Sequence, residues 1–322
     1  MPLLRLAFMG DIVGKAGRAA FAHALPLLRR DHRADVVIVN AENAKHGRGL
    51  HPATYNELVN TSGGGPDAVT LGDHALDDPT ILPLLADPQT RLCRPWRLEG
   101  FDDSKHRRFI AAKPGPRSPL AGRQLPPIVV VTIVGRVFMP KPGGDPFEQT
   151  DEALAAIEAA HPGALVVVEA HAEATSEKAG LAHYCAIEHP GRVVAVVGTH
   201  THCQTNDARL IAAPPAPGGA AASRGSSTPP ACIAWRAAGE SQPAAAGIDA
   251  KPLAAISDLG MCGGSAGVIG FNAGQSISRL RTLTGQFHPE EHHPIACGAL
   301  IDIDTDRRAA AAIQPIAISA AE

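Results

Sequence analysis

An α/β fold built on a largely parallel or mixed sheet, covered on both faces, is predicted by two features of the chain. Apolar, β-branched-rich runs alternate with helical patterns through the first two thirds, and those runs are continuously apolar rather than alternating with polar residues. Strands buried on both faces carry such runs, and strand–helix–strand order supplies the crossovers that parallel neighbours require. A third feature is chemical. Five of the runs end in residues able to bind a metal: Gly10-Asp11, Asn40-Ala41-Glu42-Asn43, Gly72-Asp73-His74, Glu169-Ala170-His171 and Gly198-Thr199-His200-Thr201-His202. Ligands of open α/β sheets gather beyond the carboxyl ends of the strands, where these residues fall.

The first run, Leu4 to Met9, begins like a signal peptide, but Arg5 interrupts it and Asp11 ends it, so it reads as a buried strand. Gly17 to Arg30 places Phe21, Leu25 and Leu28 at helical spacing. Val36 to Asn40 is the next strand, and Pro52 to Val59 opens with proline in the position that a first helical turn tolerates. Strands are expected at Ala68 to Leu71 and Ile128 to Val134, then an alanine-rich helix with an acidic start at Asp151 to Ala160. Leu165 to Glu169 and Val193 to Gly198 complete the apolar strands. From about Pro214 to Pro252 the composition shifts to Ala, Gly, Pro and Ser, with Ile233 and Trp235 the main large apolar groups. Such a stretch cannot bury enough surface to offset its ordering entropy, so residues 214–252 are expected to form a mobile surface insertion in one domain spanning 1–322. Order resumes at Leu253 to Asp258, followed by the glycine-rich Gly260 to Gly270, a helical pattern around Ile277 to Leu283, and strands near Ala299 to Ile303 and Ala310 to Ile318.

A chain of 322 residues can bury a sizeable core. Its net charge of -3 and pI near 6.6 give no electrostatic reason to expect a nucleic-acid polymer or a membrane surface as partner. No run reaches the roughly 18 to 20 apolar residues of a membrane span, so a cytoplasmic, soluble protein is expected. The cysteines, Cys93, Cys185, Cys203, Cys232, Cys262 and Cys297, are scattered without a Cys-x-x-Cys pair and read as reduced thiols.

Among fifteen histidines a close pair carries little weight alone. Asp11 by itself reads as a helix-capping aspartate, Glu42 and Asn43 sit in a polar loop, Gly72-Asp73-His74 is an ordinary turn, and Thr175-Ser176-Glu177 reads as a helix start. Together these residues offer oxygen and imidazole without thiolate, a set suited to iron, manganese or zinc in a hydrolytic centre. Two such ions can share a bridging hydroxide and clamp the attacking and leaving oxygens of a phosphoryl group, which calls for one bridging carboxylate. Alternation along an extended chain would send His200 and His202 to one face with Thr201 pointing away.

Several blocks resemble the YmdB family of calcineurin-like metallophosphoesterases: Phe8-Met9-Gly10-Asp11-Ile12-Val13-Gly14, Asn40-Ala41-Glu42-Asn43, Gly72-Asp73-His74, Gly135-Arg136-Val137-Phe138, the octet His171 to Lys178, Gly198 to His202, and Ser257-Asp258-Leu259-Gly260-Met261. They are collinear and span nearly the whole chain apart from the insertion. The resemblance implies a four-layer α/β/β/α sandwich, a dinuclear centre that is often di-iron, hydrolysis of phosphodiesters including 2′,3′-cyclic nucleotides, and a homo-oligomer. It assigns Asp11, Glu42, Asn43 and His202 to one metal and Glu42, Asp73, His171 and His200 to the other, with Glu42 as the bridge. His74 becomes the general acid at the leaving group, and Arg136 and Gly260 become aids to phosphate binding.

Two blocks depart from the family pattern. Asp73 stands where the family usually has asparagine, adding a negative charge that binds cations more firmly while lowering their Lewis acidity. Arg94-Pro95-Trp96-Arg97 replaces the more usual Arg-Pro-Ala-Asn. Two alternatives to a phosphodiesterase follow: a phosphomonoesterase using the same metals, and a metal-binding regulatory or scaffold protein in which Asp73 has damped catalysis.

Overall fold

The computed structural model describes residues 3–212 and 251–320. The expected insertion at 214–252 lies outside the described residues except for Lys251 and Pro252. In chain order the elements are β1 (Leu3–Met9), β2 (Asp11–Ile12), α1 (Gly14–Arg30), β3 (Val36–Asn40), α2 (Pro52–Val59), β4 (Ala68–Thr70), α3 (Leu82–Ala86), β5 (Phe109–Ala112), β6 (Ile128–Val134) and α4 (Pro146–Ala160). They continue with β7 (Leu165–His171), α5 (Thr175–Glu188), β8 (Val193–Thr199), β9 (Arg209–Ile211), β10 (Leu253–Ile256), β11 (Met261–Gly264), α6 (Ala273–Thr282), β12 (Pro294–Asp304) and β13 (Ala309–Ser319).

The strands form two mixed sheets. One has the order β2-β11-β12-β1-β3-β4 with β13 on β12, and the other runs β5-β6-β7-β8-β10-β9. β1, β3 and β4 are parallel to one another, as are β6, β7, β8 and β10, while β12 returns antiparallel to β1. Burial explains the continuous apolar runs. Leu4, Leu6, Phe8, Val36 and Ile38 of the first sheet meet Ile128, Val130, Leu165, Val167 and Val197 of the second in an interior shared by the two sheets. The opposite face of the first sheet, through Met9, Val37 and Val39, packs on Phe21, Leu25 and Leu28 of α1 and Leu58 of α2. Val129, Val131, Val166 and Val168 of the second pack on Leu154 and Ile157 of α4 and Leu181 of α5. The result is the four-layer α/β/β/α sandwich. Each strand at its centre is covered on both sides, so neither face admits the polar alternation of a half-exposed sheet.

α4 starts at Pro146, five residues before the alanine-rich stretch, because Asp145 caps it by accepting from the N–H groups of Phe147 and Glu148. Trp96, one of the departures from the family pattern, packs among the core residues under α4 and donates its Nε1–H to Glu152 at 3.2 Å. That substitution therefore acts on packing. Among the described residues no helix is long and apolar enough to cross a membrane.

Candidate metal centre

The parallel strands of both sheets deliver their C-terminal ends to one place. Asp11 lies on β2 immediately after β1, Glu42 and Asn43 follow β3, Asp73 and His74 follow β4, His171 ends β7, and His200 and His202 follow β8. Register brings His171 level with Thr199 across β7 and β8. Asp11 does not cap α1: Val13 holds that position without a side-chain bond, and Asp11 Oδ2 instead accepts from the N–H of His200 at 2.9 Å.

Two subsets emerge. Glu42, Asp73, His171 and His200 each place a ligand atom within 4.8 Å of the others. His171 Nε2 lies 3.1 Å from Asp73 Oδ1 and 3.3 Å from Glu42 Oε1, and His200 Nδ1 lies 3.3 Å from Asp73 Oδ1. On the other side His202 Nε2 is 3.2 Å from Asn43 Nδ2 and 3.6 Å from Asp11 Oδ2, while Asn43 Nδ2 is 3.2 Å from Glu42 Oε1. Glu42 thus touches both groups. Gly72 is required between them, because a Cβ there would fall on Glu42 Oε2 and His171 Nε2.

The two histidines reach their subsets by a different route from simple alternation. β8 ends at Thr199, and His200 and His202 both have positive φ, 94° and 62°, a conformation costly for residues with side chains. The surroundings impose it. Asp258 Oδ2 accepts from the N–H and Oγ1–H of Thr201 at 3.2 and 2.7 Å, and is itself held by the buried Lys178 Nζ at 2.7 Å. The octet and the Ser257-Asp258 block therefore anchor the histidine loop.

Whether these residues suit a metal is decided by atoms left without partners. Asp11 Oδ1, Asn43 Oδ1 and Asp73 Oδ2 are buried and accept no hydrogen bond. A buried unsatisfied acceptor costs about 1–3 kcal/mol, more when charged, and three in one cluster are explained by a cation. Electrostatics agrees. Burial disfavours charge on His171, yet Glu42, Asp73 and Asp11 outweigh it and hold the imidazole well above its ordinary value. Burial likewise opposes ionisation of Asp73, but hydrogen bonds from His171 and His200 prevail and keep it below the usual carboxylate range. Asp11 is pushed up, chiefly by burial. The cluster draws positive charge, and its donors are all oxygen and imidazole nitrogen.

These shifts carry a sign. A raised imidazole stabilises the folded state fully below its ordinary pKa of 6.5, and that contribution is lost as pH climbs through the raised value. The raised Asp11 acts in the same direction from its ordinary 3.8 upward. Metal ions bind the deprotonated groups and remove the penalty. The thermal midpoint of the metal-loaded protein minus that of the metal-free protein is therefore expected to widen as pH rises above 6.5. A gap that narrows contradicts this, and His171→Gln should flatten it.

Three positions beside the candidate ligands are given no role by the motifs. Glu169 lies within the β7 run, and both its oxygens are engaged: Oε1 accepts from Asn40 Nδ2 at 2.6 Å and Thr199 Oγ1 at 2.9 Å, and Oε2 accepts from Thr132 Oγ1 at 2.7 Å. Thr199 Oγ1 in turn lies 2.9 Å from His171 Nδ1. With the threonine proton committed to Glu169, His171 donates from Nδ1 and aims Nε2 at Glu42 and Asp73, where loss of its proton would free the lone pair for a cation; an outer carboxylate fixes a ligating imidazole in this way. Glu169→Gln is expected to weaken metal binding about 10–100-fold with the fold retained. Titration with Mn²⁺ monitored by calorimetry checks it, and unchanged affinity contradicts the relay. The signal available in the sequence was a lone Glu and a lone Thr inside apolar strands. Asp77 is the third: its Oδ2 lies 2.9 Å from His74 Nδ1, and its Oδ1 accepts from Lys141 Nζ at 2.6 Å.

A cavity of about 930 Å³ opens over the cluster, lined by Glu42, Asn43, His74, Asp77, His200 and His202 on the metal side. Arg136 and Gly260 are not brought to it. Arg136 is exposed and faces Asp145 at 3.4 Å, and the Gly260 N–H is taken by Asp258 Oδ1 at 2.8 Å.

Comparison with known proteins gives a consistent picture. The family model described as YmdB-like protein matches residues 7–218 and 242–316. The chain is 32% identical over 317 residues to a 2′,3′-cyclic-nucleotide 2′-phosphodiesterase of Bacillus subtilis, covering 98% of this chain and 97% of that protein. It is 28% identical over 304 residues to a putative phosphatase/phosphodiesterase of Mycoplasma genitalium, covering 94% and 86%. Among solved structures it is similar to a novel phosphatase of Mycoplasma pneumoniae, with a TM-score of 0.72, 26% identity and coverage of 99% and 94%. A hypothetical protein from Thermus thermophilus gives a TM-score of 0.70 at 28% identity, covering 98% and 99%.

Proposed function

The chain belongs to the YmdB-like protein family and is a phosphoesterase, and we propose that it hydrolyses small phosphodiesters such as 2′,3′-cyclic nucleotides at a pair of metal ions. The observation that carries the reading is the set of three buried acceptors without partners, Asp11 Oδ1, Asn43 Oδ1 and Asp73 Oδ2, in a cluster whose Glu42, Asn43, His200 and His202 line one cavity. Asp11, Glu42, Asn43 and His202 would hold one ion, and Glu42, Asp73, His171 and His200 the other. Iron, manganese and zinc all suit this donor set, and the family resemblance points to iron first. When bound, such a pair supplies Lewis acidity to the phosphoryl group and a nucleophile ionised near neutral pH.

The chain's own residues account for the rest. Glu42, buried and reaching both subsets, fixes their separation. His74 stands at the cavity wall with Nδ1 engaged by Asp77, which leaves Nε2 to give a proton to the departing oxygen. The backbone N–H of His74 donates to Glu42 Oε2 at 3.1 Å, which ties this residue to the carboxylate that both ions would share.

The test is turnover of 2′,3′-cyclic AMP and of p-nitrophenyl phosphate by protein loaded with Fe²⁺ or Mn²⁺. Faster consumption of the cyclic diester is expected. The phosphatase names of the Mycoplasma relatives favour a second reading, a phosphomonoesterase, which turnover of the monoester alone would establish. Metal binding without turnover of either would indicate a regulatory protein.

A further inference from the structure

The far wall of the cavity is aromatic and belongs to segments that hold none of the metal-facing residues. Phe271 lies nearly parallel to the His202 ring, 16° apart in plane and 6.4 Å between centroids. Phe287 follows, 5.4 Å from Phe271, and the Arg279 guanidinium on α6 sits 4.8 Å over the Phe287 ring. All three line the cavity, together with Gln286.

This wall is built rather than incidental. Phe271 and Val268 exchange both backbone hydrogen bonds, at 2.8 and 3.0 Å, and the Asn272 N–H donates to the carbonyl of His288 at 2.9 Å, pinning the segment that carries Phe287. On the metal side, Gly47 has φ +86°, and a Cβ there would come within 2.7 Å of Phe271 Cε1, so the loop after β3 is shaped to admit the ring. Phe287 is held on this frame and still keeps 43% of its surface exposed.

A run of rings leading outward from a metal-facing histidine, with a guanidinium and a carboxamide beside its outermost member, matches one class of ligand: a phosphate carrying a nucleobase one sugar away. Bases stack on aromatic side chains through their π-faces whatever their identity, and arginine and glutamine supply donors for the base edge. We infer that Phe287, supported by Phe271 and Arg279, is the platform on which this enzyme stacks the nucleobase of a nucleotide substrate. The inference rests on the phosphodiesterase reading and assigns the part of the substrate distant from phosphorus. Recognition by stacking implies little discrimination among bases, with purines favoured by their larger faces.

The experiment compares the Mn²⁺-loaded protein with its Phe287→Ala and Phe287→Trp variants on 2′,3′-cyclic AMP and on glycerol 1,2-cyclic phosphate, which has no base. Phe287→Ala is expected to raise KM for the nucleotide about tenfold with kcat nearly unchanged, to leave the glycerol ester unaffected, and to be rescued by Phe287→Trp. An equal change for both esters, or none for either, overturns the platform. Calorimetric binding of adenosine 2′-monophosphate against glycerol phosphate separates the two hypotheses. If neither diester is hydrolysed the phosphodiesterase reading fails. In that case, selective loss of adenosine monophosphate binding in Phe287→Ala still supports the platform, and its absence removes it.

Discussion

Replacing His74 with alanine is expected to lower turnover of a 2′,3′-cyclic nucleotide by roughly 10²–10⁴-fold while leaving metal content unchanged. Geometry sets this expectation. Nδ1 of His74 is 2.9 Å from Asp77 Oδ2, and Asp77 is held by Lys141 at 2.6 Å and faces Arg48 at 3.5 Å. That arrangement orients the ring and leaves Nε2 for substrate. A cyclic nucleotide expels a poor leaving group, an alkoxide, which needs a proton in the transition state. A p-nitrophenolate needs none. The loss in His74→Ala should therefore shrink sharply with bis(p-nitrophenyl) phosphate as substrate, and a parallel measurement of kcat on the two diesters checks it. An equal loss on both substrates, or loss of metal, contradicts the assignment of His74 as acid.

Asp73→Asn is expected to weaken metal binding by one to two orders of magnitude and to raise kcat at saturating metal. Asp73 lies among the imidazoles of His171 and His200 and within ligand distance of Glu42. A unit charge about 4 Å from a cation is worth on the order of 4 kcal/mol at an effective dielectric near 20, and part of that is offset because a neutral amide costs less to bury. The carboxylate holds the ion more firmly and leaves it a weaker Lewis acid. Titration with Mn²⁺ measures the first effect and steady-state kinetics at saturating Mn²⁺ the second. Affinity unchanged within twofold would mean that Asp73 faces no cation. The neutral variant also weakens the hold on the His171 proton, so the widening gap in thermal midpoint above pH 6.5 should be smaller in it.

The strands that carry the site were legible because burial on two sides leaves an unmistakable apolar run: Val36–Asn40 and Ile128–Val134 coincide with the expected segments. β2, β5, β9 and β11 were not legible. They are two to four residues long and take their partners from elsewhere in the chain, so no local periodicity announces them. The ends of the apolar strands pointed by position to the residues that the fold clusters together. Their orientation was harder to read. His200 and His202 part to different subsets through positive φ imposed by Asp258 and Lys178, contacts that span 57 and 80 residues. Asp77 follows a recognisable turn and was hidden by its ordinary appearance. The aromatic wall was invisible for another reason. Phe271 and Phe287 are separated by α6, and only the fold places them beside a histidine that follows β8.

The central claim is that one carboxylate, Glu42, joins two metal subsites. Elemental analysis of protein loaded anaerobically with Fe²⁺ and then desalted tests it most directly, performed beside Glu42→Ala. Two equivalents of iron per chain, falling below one in Glu42→Ala with the circular dichroism spectrum preserved, is the predicted result. A single equivalent in the parent protein, or two that survive removal of the Glu42 carboxylate, would contradict it.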